Sequence, residues 1–286
     1  MQLSIGSYSF HRELALGRQD IFKYITDCKA FGCTQLDPWN GHLAQLKEGD
    51  EALQAGGDPE GAQLSAQDDG YIERVRAAAD DAGLPFGCLA VDGAHVYDDD
   101  SELRQVLRNR AYRWIDIAHT LGAKQIRLDS GGTYEMPDEM FDIIVEGYRD
   151  LVKRAGDIGI AVIMENHFGA SQIPENVIRI LEAVPEVGLL LDTNNWAEGR
   201  KVDGWRMCAP YAKATHIKTF NIGEDGQEAT ADLPKAINLL LDAGYNDVWG
   251  IESCPVDGDE YLGVQQTIAL VERVLKQRAK NGVAHV

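Results

Sequence analysis

The stretch IAVIMENHFGASQIPENVIRILEAVPEVGLLLD, residues 160–192, holds one complete structural repeat and the start of the next. IAVIME (160–165) is an unbroken apolar run that ends in a carboxylate, a helix follows Pro174, and VGLLLD (187–192) repeats the first pattern. Neither run alternates apolar with polar residues. Strands that are apolar on both faces and separated by helices must run parallel and be covered on both sides.

Working outward, the same unit recurs along the chain. Strands are expected at LSIGSY (3–8), CTQLD (33–37), PFGCLAV (85–91), KQIRLD (124–129), ATHIKT (214–219) and DVWGIES (247–253), besides the two above. Amphipathic helices are expected at 21–32, ending at Gly32, at 71–83 and 101–122, and after Pro137 and Pro174. Further helices are expected at 203–209, 232–244 and 261–279. Eight strand-helix units close naturally into a (β/α)8 TIM barrel, an α/β fold that 286 residues can fill as a single domain, 1–286. A doubly wound open sheet would want a glycine-rich turn after its first strand, and SIGSYSFH offers only Gly6. Residues 40–69, rich in Gly, Gln and Asp, are expected to form a long loop after the second strand.

Composition narrows the function. Hydrophobic residues make up 44% and charged residues 26%, as in a chain that buries a core. Against 46 acidic side chains stand 27 basic ones, a formal charge of -19 without a Lys/Arg cluster, which argues against nucleic acid as a partner. The N-terminus MQLSIGSYSF lacks the pattern of a signal peptide, and no run of about 18 apolar residues suggests a membrane span, so a cytoplasmic protein is expected. Five cysteines, at 28, 33, 88, 208 and 254, form neither a disulfide framework nor a zinc-ribbon spacing. Exposed apolar helix positions would be compatible with a homo-oligomer, but sequence does not separate them from core positions.

The polar residues at strand ends carry the chemistry. Glu165 ends the fifth expected strand, Asp192 the sixth, His216 lies in the seventh and Glu252 near the end of the eighth. In a parallel barrel these ends face one mouth, so four residues distant in sequence can converge on a metal ion. Three carboxylates and an imidazole suit Mn²⁺, with Mg²⁺ or Co²⁺ as alternatives, and leave positions open for substrate or water. Side chains two apart on a strand share a face, which adds His167, Asn194, Lys218 and Cys254 to the expected pocket. A buried Lys218 must be paired or must hold an anionic oxygen, His167 could transfer protons, and Cys254 is expected as a wall residue. The first half contributes Asp37, Trp39, His42, His95, Arg127 and Asp129, of which Trp39 could stack on a sugar ring. His11 and His119 are read as structural.

MENH, LLLDTNN, THIKT and GIES, in that order and at those strand positions, resemble the xylose isomerase-like barrel superfamily, the sugar phosphate isomerase/epimerase group, over essentially the whole chain. The resemblance implies one divalent ion, commonly Mn²⁺, held by Glu165, Asp192, His216 and Glu252, and a small sugar or keto-sugar as substrate. In the ketose epimerases of that group the first and last of these glutamates also move the proton, which makes Glu165 and Glu252 the expected acid/base pair. Trp39, His95, Arg127, Asn195 and Lys218 are the expected substrate-binding residues. Two positions depart from the epimerase pattern: Asn195 stands where those enzymes carry histidine, and Ile222 where they carry arginine. The Glu-Asn-His run is similar to that of 3-keto-glycoside lyases, which gives an alternative reading as a lyase or hydratase with His167 as base. Zinc-dependent apurinic-site endonucleases share the superfamily, but seven histidines and an acidic surface fit them poorly. A sugar-binding protein without catalysis would need no metal.

Overall fold

Alternate residues of the apolar runs face in opposite directions. Val162, Met164, Leu189 and Leu191 join the large cluster that packs against the helices, whereas Ile163 and Leu190 meet Cys88 in a small separate cluster. The residues next in phase with Ile163 and Leu190 are Glu165 and Asp192, so the face that is apolar lower in the barrel becomes acidic at its rim. This alternation explains both the continuous hydrophobicity and its abrupt end.

The computed structural model describes residues 1–44, 69–256, 258–280 and 282. Seven parallel strands, β1 (Leu3–Ile5), β2 (Cys88–Val91), β3 (Gln125–Leu128), β4 (Ala161–Glu165), β5 (Gly188–Asp192), β6 (Ala212–Thr219) and β7 (Trp249–Ser253), are joined in the order β1-β7-β6-β5-β4-β3-β2. The helices are α1 (His11–Ala15), α2 (Ile21–Ala30), α3 (Asn40–Leu43), α4 (Asp69–Ala82), α5 (Ser101–Leu121), α6 (Asp138–Gly156), α7 (Pro174–Ala183), α8 (Lys201–Cys208), α9 (Leu233–Asp242) and α10 (Glu260–Lys280). Of the long loop expected at 40–69, residues 40–43 form α3, and 45–68 lie outside the described residues. Among the described residues no helix is long and apolar enough to cross a membrane.

The second expected strand is where the structure departs from the sequence reading. In place of a ladder over 33–37, isolated bridges form within residues 36–39: Asp37 pairs with Gly6 beside β1, Leu36 with Phe86, and Trp39 with Ala90 of β2. Pro38 has no amide hydrogen, which interrupts a regular ladder. The segment nevertheless occupies the eighth position, with backbone bonds from Ser7 N to Asp37 O at 3.1 Å on one side and from Ala90 N to Pro38 O at 2.9 Å on the other. Side chains complete the closure. Asp37 accepts from Ser4 Oγ at 2.5 Å and from the Cys88 amide at 2.8 Å, while the Tyr24 hydroxyl donates to Ile5 O at 2.6 Å and accepts from the Asp37 amide at 2.9 Å. Asp37, read from sequence as a polar strand tip, is therefore a staple across the seam of the barrel.

The first strand is also shorter than expected. It ends at Ile5, and Ser7–Phe10 turn as a 3-10 segment. The remaining boundaries fall close to the expected ones. Register then fixes the site, because Asp192 of β5 lies opposite His216 of β6, and Lys218 of β6 lies opposite Glu252 of β7. Gly250 permits the close approach of β6 and β7, since a Cβ there would collide with the Thr215 carbonyl.

Candidate metal centre

At the carboxyl ends of the strands lies a cavity of about 540 Å³ whose lining includes Trp39, Arg127, His167, Asn195, His216, Lys218 and Glu252. Glu165, Asp192, His216 and Glu252, all buried, each offer one ligand atom within 4.8 Å of the others. His216 Nδ1 stands 3.2 Å from Glu165 Oε1 and 3.6 Å from Glu252 Oε2. Neighbouring ligands of a six-coordinate ion with bonds of about 2.1 Å stand about 3 Å apart, close to these separations. Oδ2 of Asp192 is buried without a hydrogen-bond donor among the described residues, and the buried Oε2 atoms of Glu165 and Glu252 each meet one side-chain cation, Arg127 and Lys218. Three carboxylates buried this close together repel one another unless further positive charge balances them, and four ligand atoms at these separations fit a divalent ion.

The local sequence explains how two of the candidate ligands, Glu165 and Asp192, are held. In Glu165-Asn166-His167, the middle residue ties β4 to β5: its amide donates to Asp192 O at 2.9 Å, and its carbonyl oxygen accepts from Asp192 N at 2.8 Å. Asp192 Oδ1 accepts from the amides of Asn194 at 2.6 Å and Asn195 at 2.9 Å, which leaves Oδ2 free for the centre. The Asn195 side chain donates to Glu165 Oε1 at 3.3 Å and so braces a second ligand. Asn194 turns instead to Lys218 O, at 2.7 Å.

Two cations flank the cluster. Lys218 Nζ lies 2.9 Å from Glu252 Oε2 and 3.8 Å from Asp192 Oδ2, and Arg127 Nε lies 3.1 Å from Glu165 Oε2. The first and last of these are close, buried ion pairs. Burial raises the pKa of Asp192, Lys218 opposes it, and Glu252 and Glu165 add to it, giving about 7. Burial acts against a charged His216, but Glu252 and Glu165 outweigh it and bring the imidazole up to about 9. For Glu252, burial is overcome by Lys218 and His216, which bring it down to about 2.

Around the centre, His167 lines the cavity with Nδ1 3.0 Å from Asp129 Oδ2. Arg127 Nη1 holds that same Asp129 oxygen at 3.0 Å, Asp92 Oδ1 at 2.7 Å and Val91 O at 2.9 Å. Arg127, expected to bind substrate, thus has its guanidinium committed to three carboxylates. Trp39 reaches the cavity, but its indole N–H is tied to Asp92 Oδ2 at 2.8 Å and the residue is only 2% exposed. His95 lies outside this cavity, in an adjoining one. Burial first, then Glu252, pushes the Cys254 thiol up, in keeping with a wall residue rather than a thiolate. His11, read as structural, stacks on Tyr8 at 4.4 Å and contributes to the lining. His119 bonds Ile158 O from its helix and takes no part. Asp92 and Phe168 received no role from sequence, although each follows a strand end closely enough to be considered.

His42 is buried, with neither ring nitrogen partnered among the described residues, and burial, helped by His11, brings its pKa down to about 3. Below about pH 6.5 the unfolded chain protonates this ring and the folded chain does not, so stability falls as pH drops from about 6.5 toward the folded value. The loss due to His42 amounts to about 2 kcal/mol between pH 6.5 and 5. Urea denaturation of His42→Phe should show a shallower acid slope than the parent by that amount; equal slopes would place the proton uptake elsewhere.

The profile of the xylose isomerase-like TIM barrel family matches residues 47–273. The chain belongs to this family. Among solved structures, L-ribulose 3-epimerase superposes with a TM-score of 0.74 at 14% identity, over 99% of both chains. The IolI protein with a binding zinc atom gives 0.67 at 16% identity, over 97% of both. At such identities these likenesses concern the family fold alone. A C-glycoside deglycosidase alpha subunit from Microbacterium trichothecenolyticum is 41% identical over 46 residues, 16% of this chain and 12% of the relative.

Proposed function

We propose that this xylose isomerase-like barrel is a divalent-metal-dependent sugar isomerase or epimerase that removes a proton α to a carbonyl and passes through an enediolate. The observation that carries the reading is the set of three buried carboxylates that converge with the His216 imidazole, each offering a ligand atom within 4.8 Å of the others, beside a cavity of sugar-binding size. A bound divalent ion, Mn²⁺ first among candidates, supplies Lewis-acid stabilisation of the oxygen that becomes negative as the proton leaves. The chain supplies the rest. Glu165, Asp192, His216 and Glu252 would hold the ion, Asn166 and Asn195 keep two of them in place, and Lys218 offers the substrate a cation next to the ligands. Glu165 and Glu252 are the acid/base pair of this reading.

A second reading, elimination from a 3-keto-glycoside, is favoured by one specific feature. His167 faces the cavity with a carboxylate behind it, an arrangement that fixes the ring and favours proton uptake at its other nitrogen, whereas Glu252 is clasped by Lys218. Both readings begin with the same α-proton. Incubation of ketoses and 3-keto-glycosides with Mn²⁺ in D₂O, followed by mass spectrometry, separates them. Deuterium in an isomeric sugar supports the first, and release of the aglycone supports the second. EDTA should abolish either. Absence of both deuterium incorporation and aglycone release for every substrate, with Mn²⁺ present, would overturn both.

A further inference from the structure

The cavity beside the candidate metal centre adjoins another. A chamber of about 490 Å³, whose lining includes His95, Tyr97, Asp98 and Gly131, shares Asp92 and Phe168 with the first. Phe168 is the partition: it is 56% exposed, and its ring centroid stands 3.7 Å from that of His167. An exposed aromatic ring between two cavities offers a face for another ring.

Three features describe what the chamber would accept. Asp129 lines it and is 5% exposed; its Oδ2 is shared by Arg127 and His167, but its Oδ1 is buried with no partner. Such an oxygen calls for a donor, and a ligand hydroxyl would supply one. Asp92, Asp98, Asp99 and Asp129 outnumber His95 along the wall, which disfavours a phosphate or other anion. The wall is also preformed: Tyr97 N bonds Ser130 O at 2.9 Å, and Gly131, at φ 70°, passes so close to the Tyr97 carbonyl that a side chain would collide with it. His95 Nε2, 3.7 Å from Asp98, is beyond hydrogen-bond reach of it and can turn to a ligand.

We propose that this chamber is a subsite for a neutral, hydroxyl-bearing ring attached to the sugar, so that the substrate is a glycoside and not a free or phosphorylated monosaccharide. The proposal rests on the reading of the first cavity as the sugar site. The attached ring could be a second sugar or a phenol, and both share the chemistry described.

Calorimetric titration tests the subsite without turnover. Matched methyl and 4-hydroxyphenyl β-glycosides of gluco, galacto and xylo configuration, together with cellobiose, xylobiose and glucose 1-phosphate, are compared on the Mn²⁺-treated protein and on Thr133→Trp, which narrows the chamber from an exposed wall position. In at least one configuration the extended glycosides should bind at least about tenfold tighter than the methyl glycoside. Thr133→Trp should erase that gain and leave methyl glycoside affinity unchanged, and glucose 1-phosphate should gain nothing. A gain confined to the phenols or to the disaccharides identifies the natural ring. Equal or absent binding of extended and methyl glycosides, or a gain that survives Thr133→Trp, overturns the proposal. Deuterium exchange reports separately on the proton-abstraction reading, and its failure would leave these affinities standing.

Discussion

Asp192→Asn should uncouple the thermal stability of the protein from divalent cations. With Mn²⁺ at about 100 times its Kd, the parent protein gains about 2.7 kcal/mol, or roughly 5–10 °C in Tm for a chain of this size. The variant should gain nothing. An amide retains the carbonyl oxygen that accepts from the Asn194 and Asn195 amides, so the strand end keeps its anchor. The amide nitrogen replaces the oxygen that has no donor, and it presents hydrogens where a cation would stand. Because the change also removes one of three neighbouring buried carboxylates, the metal-free variant should melt no lower than the metal-free parent. α-Proton exchange should fall at least about 100-fold, as the loss of several kcal/mol of Lewis-acid stabilisation requires. A merely structural aspartate would lower both melting curves together. A parallel drop of that kind, or a Mn²⁺ gain that persists in the variant, would refute the centre.

The convergence of the four candidate ligands is legible because each sits where a local pattern changes. An apolar run ending in Glu165 or Asp192 announces a strand leaving a core, and parallel topology then places such ends at one mouth. His216 and Lys218 were legible through the period of two, and the register confirms that they stand opposite Asp192 and Glu252. Long-range pairing was less visible. Nothing local to CTQLD shows that Leu36 and Asp37 bridge different neighbours, or that Ser4, Tyr24 and Cys88 converge there to close the barrel. Arg127 has the residue type of a substrate clamp, yet Asp92, Asp129 and Glu165 meet its guanidinium from loops and strands far apart in sequence. His95 was assigned to the pocket from its place after a strand, but the loop carries it into the neighbouring chamber.

His167→Ala offers the sharpest distinction between the two proton-transfer schemes. If the His167–Asp129 pair takes the α-proton, removing the imidazole should slow deuterium incorporation by about 10²–10⁴-fold, while the Mn²⁺-induced rise in Tm stays within about 1 °C of the parent because no metal ligand is lost. The geometry gives the reason: Nδ1 is engaged by Asp129 at 3.0 Å, and Arg127 fixes that carboxylate from the other side at 3.0 Å. Asp129 and Glu165 together outweigh the burial of the ring and raise its pKa above the ordinary histidine value. Asp129→Asn should act through the same ring, lowering the rate by a smaller factor, about tenfold, and changing its pH profile, since an amide can orient the imidazole but cannot balance its positive charge. In the alternative scheme Glu165 and Glu252 move the proton, and Glu252→Gln would be the damaging change. Each scheme therefore predicts a different insensitive variant. If His167→Ala retains deuterium exchange within about threefold of the parent, a change too small for loss of a general base, the proton is carried by the glutamates, and Lys218 must release Glu252 during turnover.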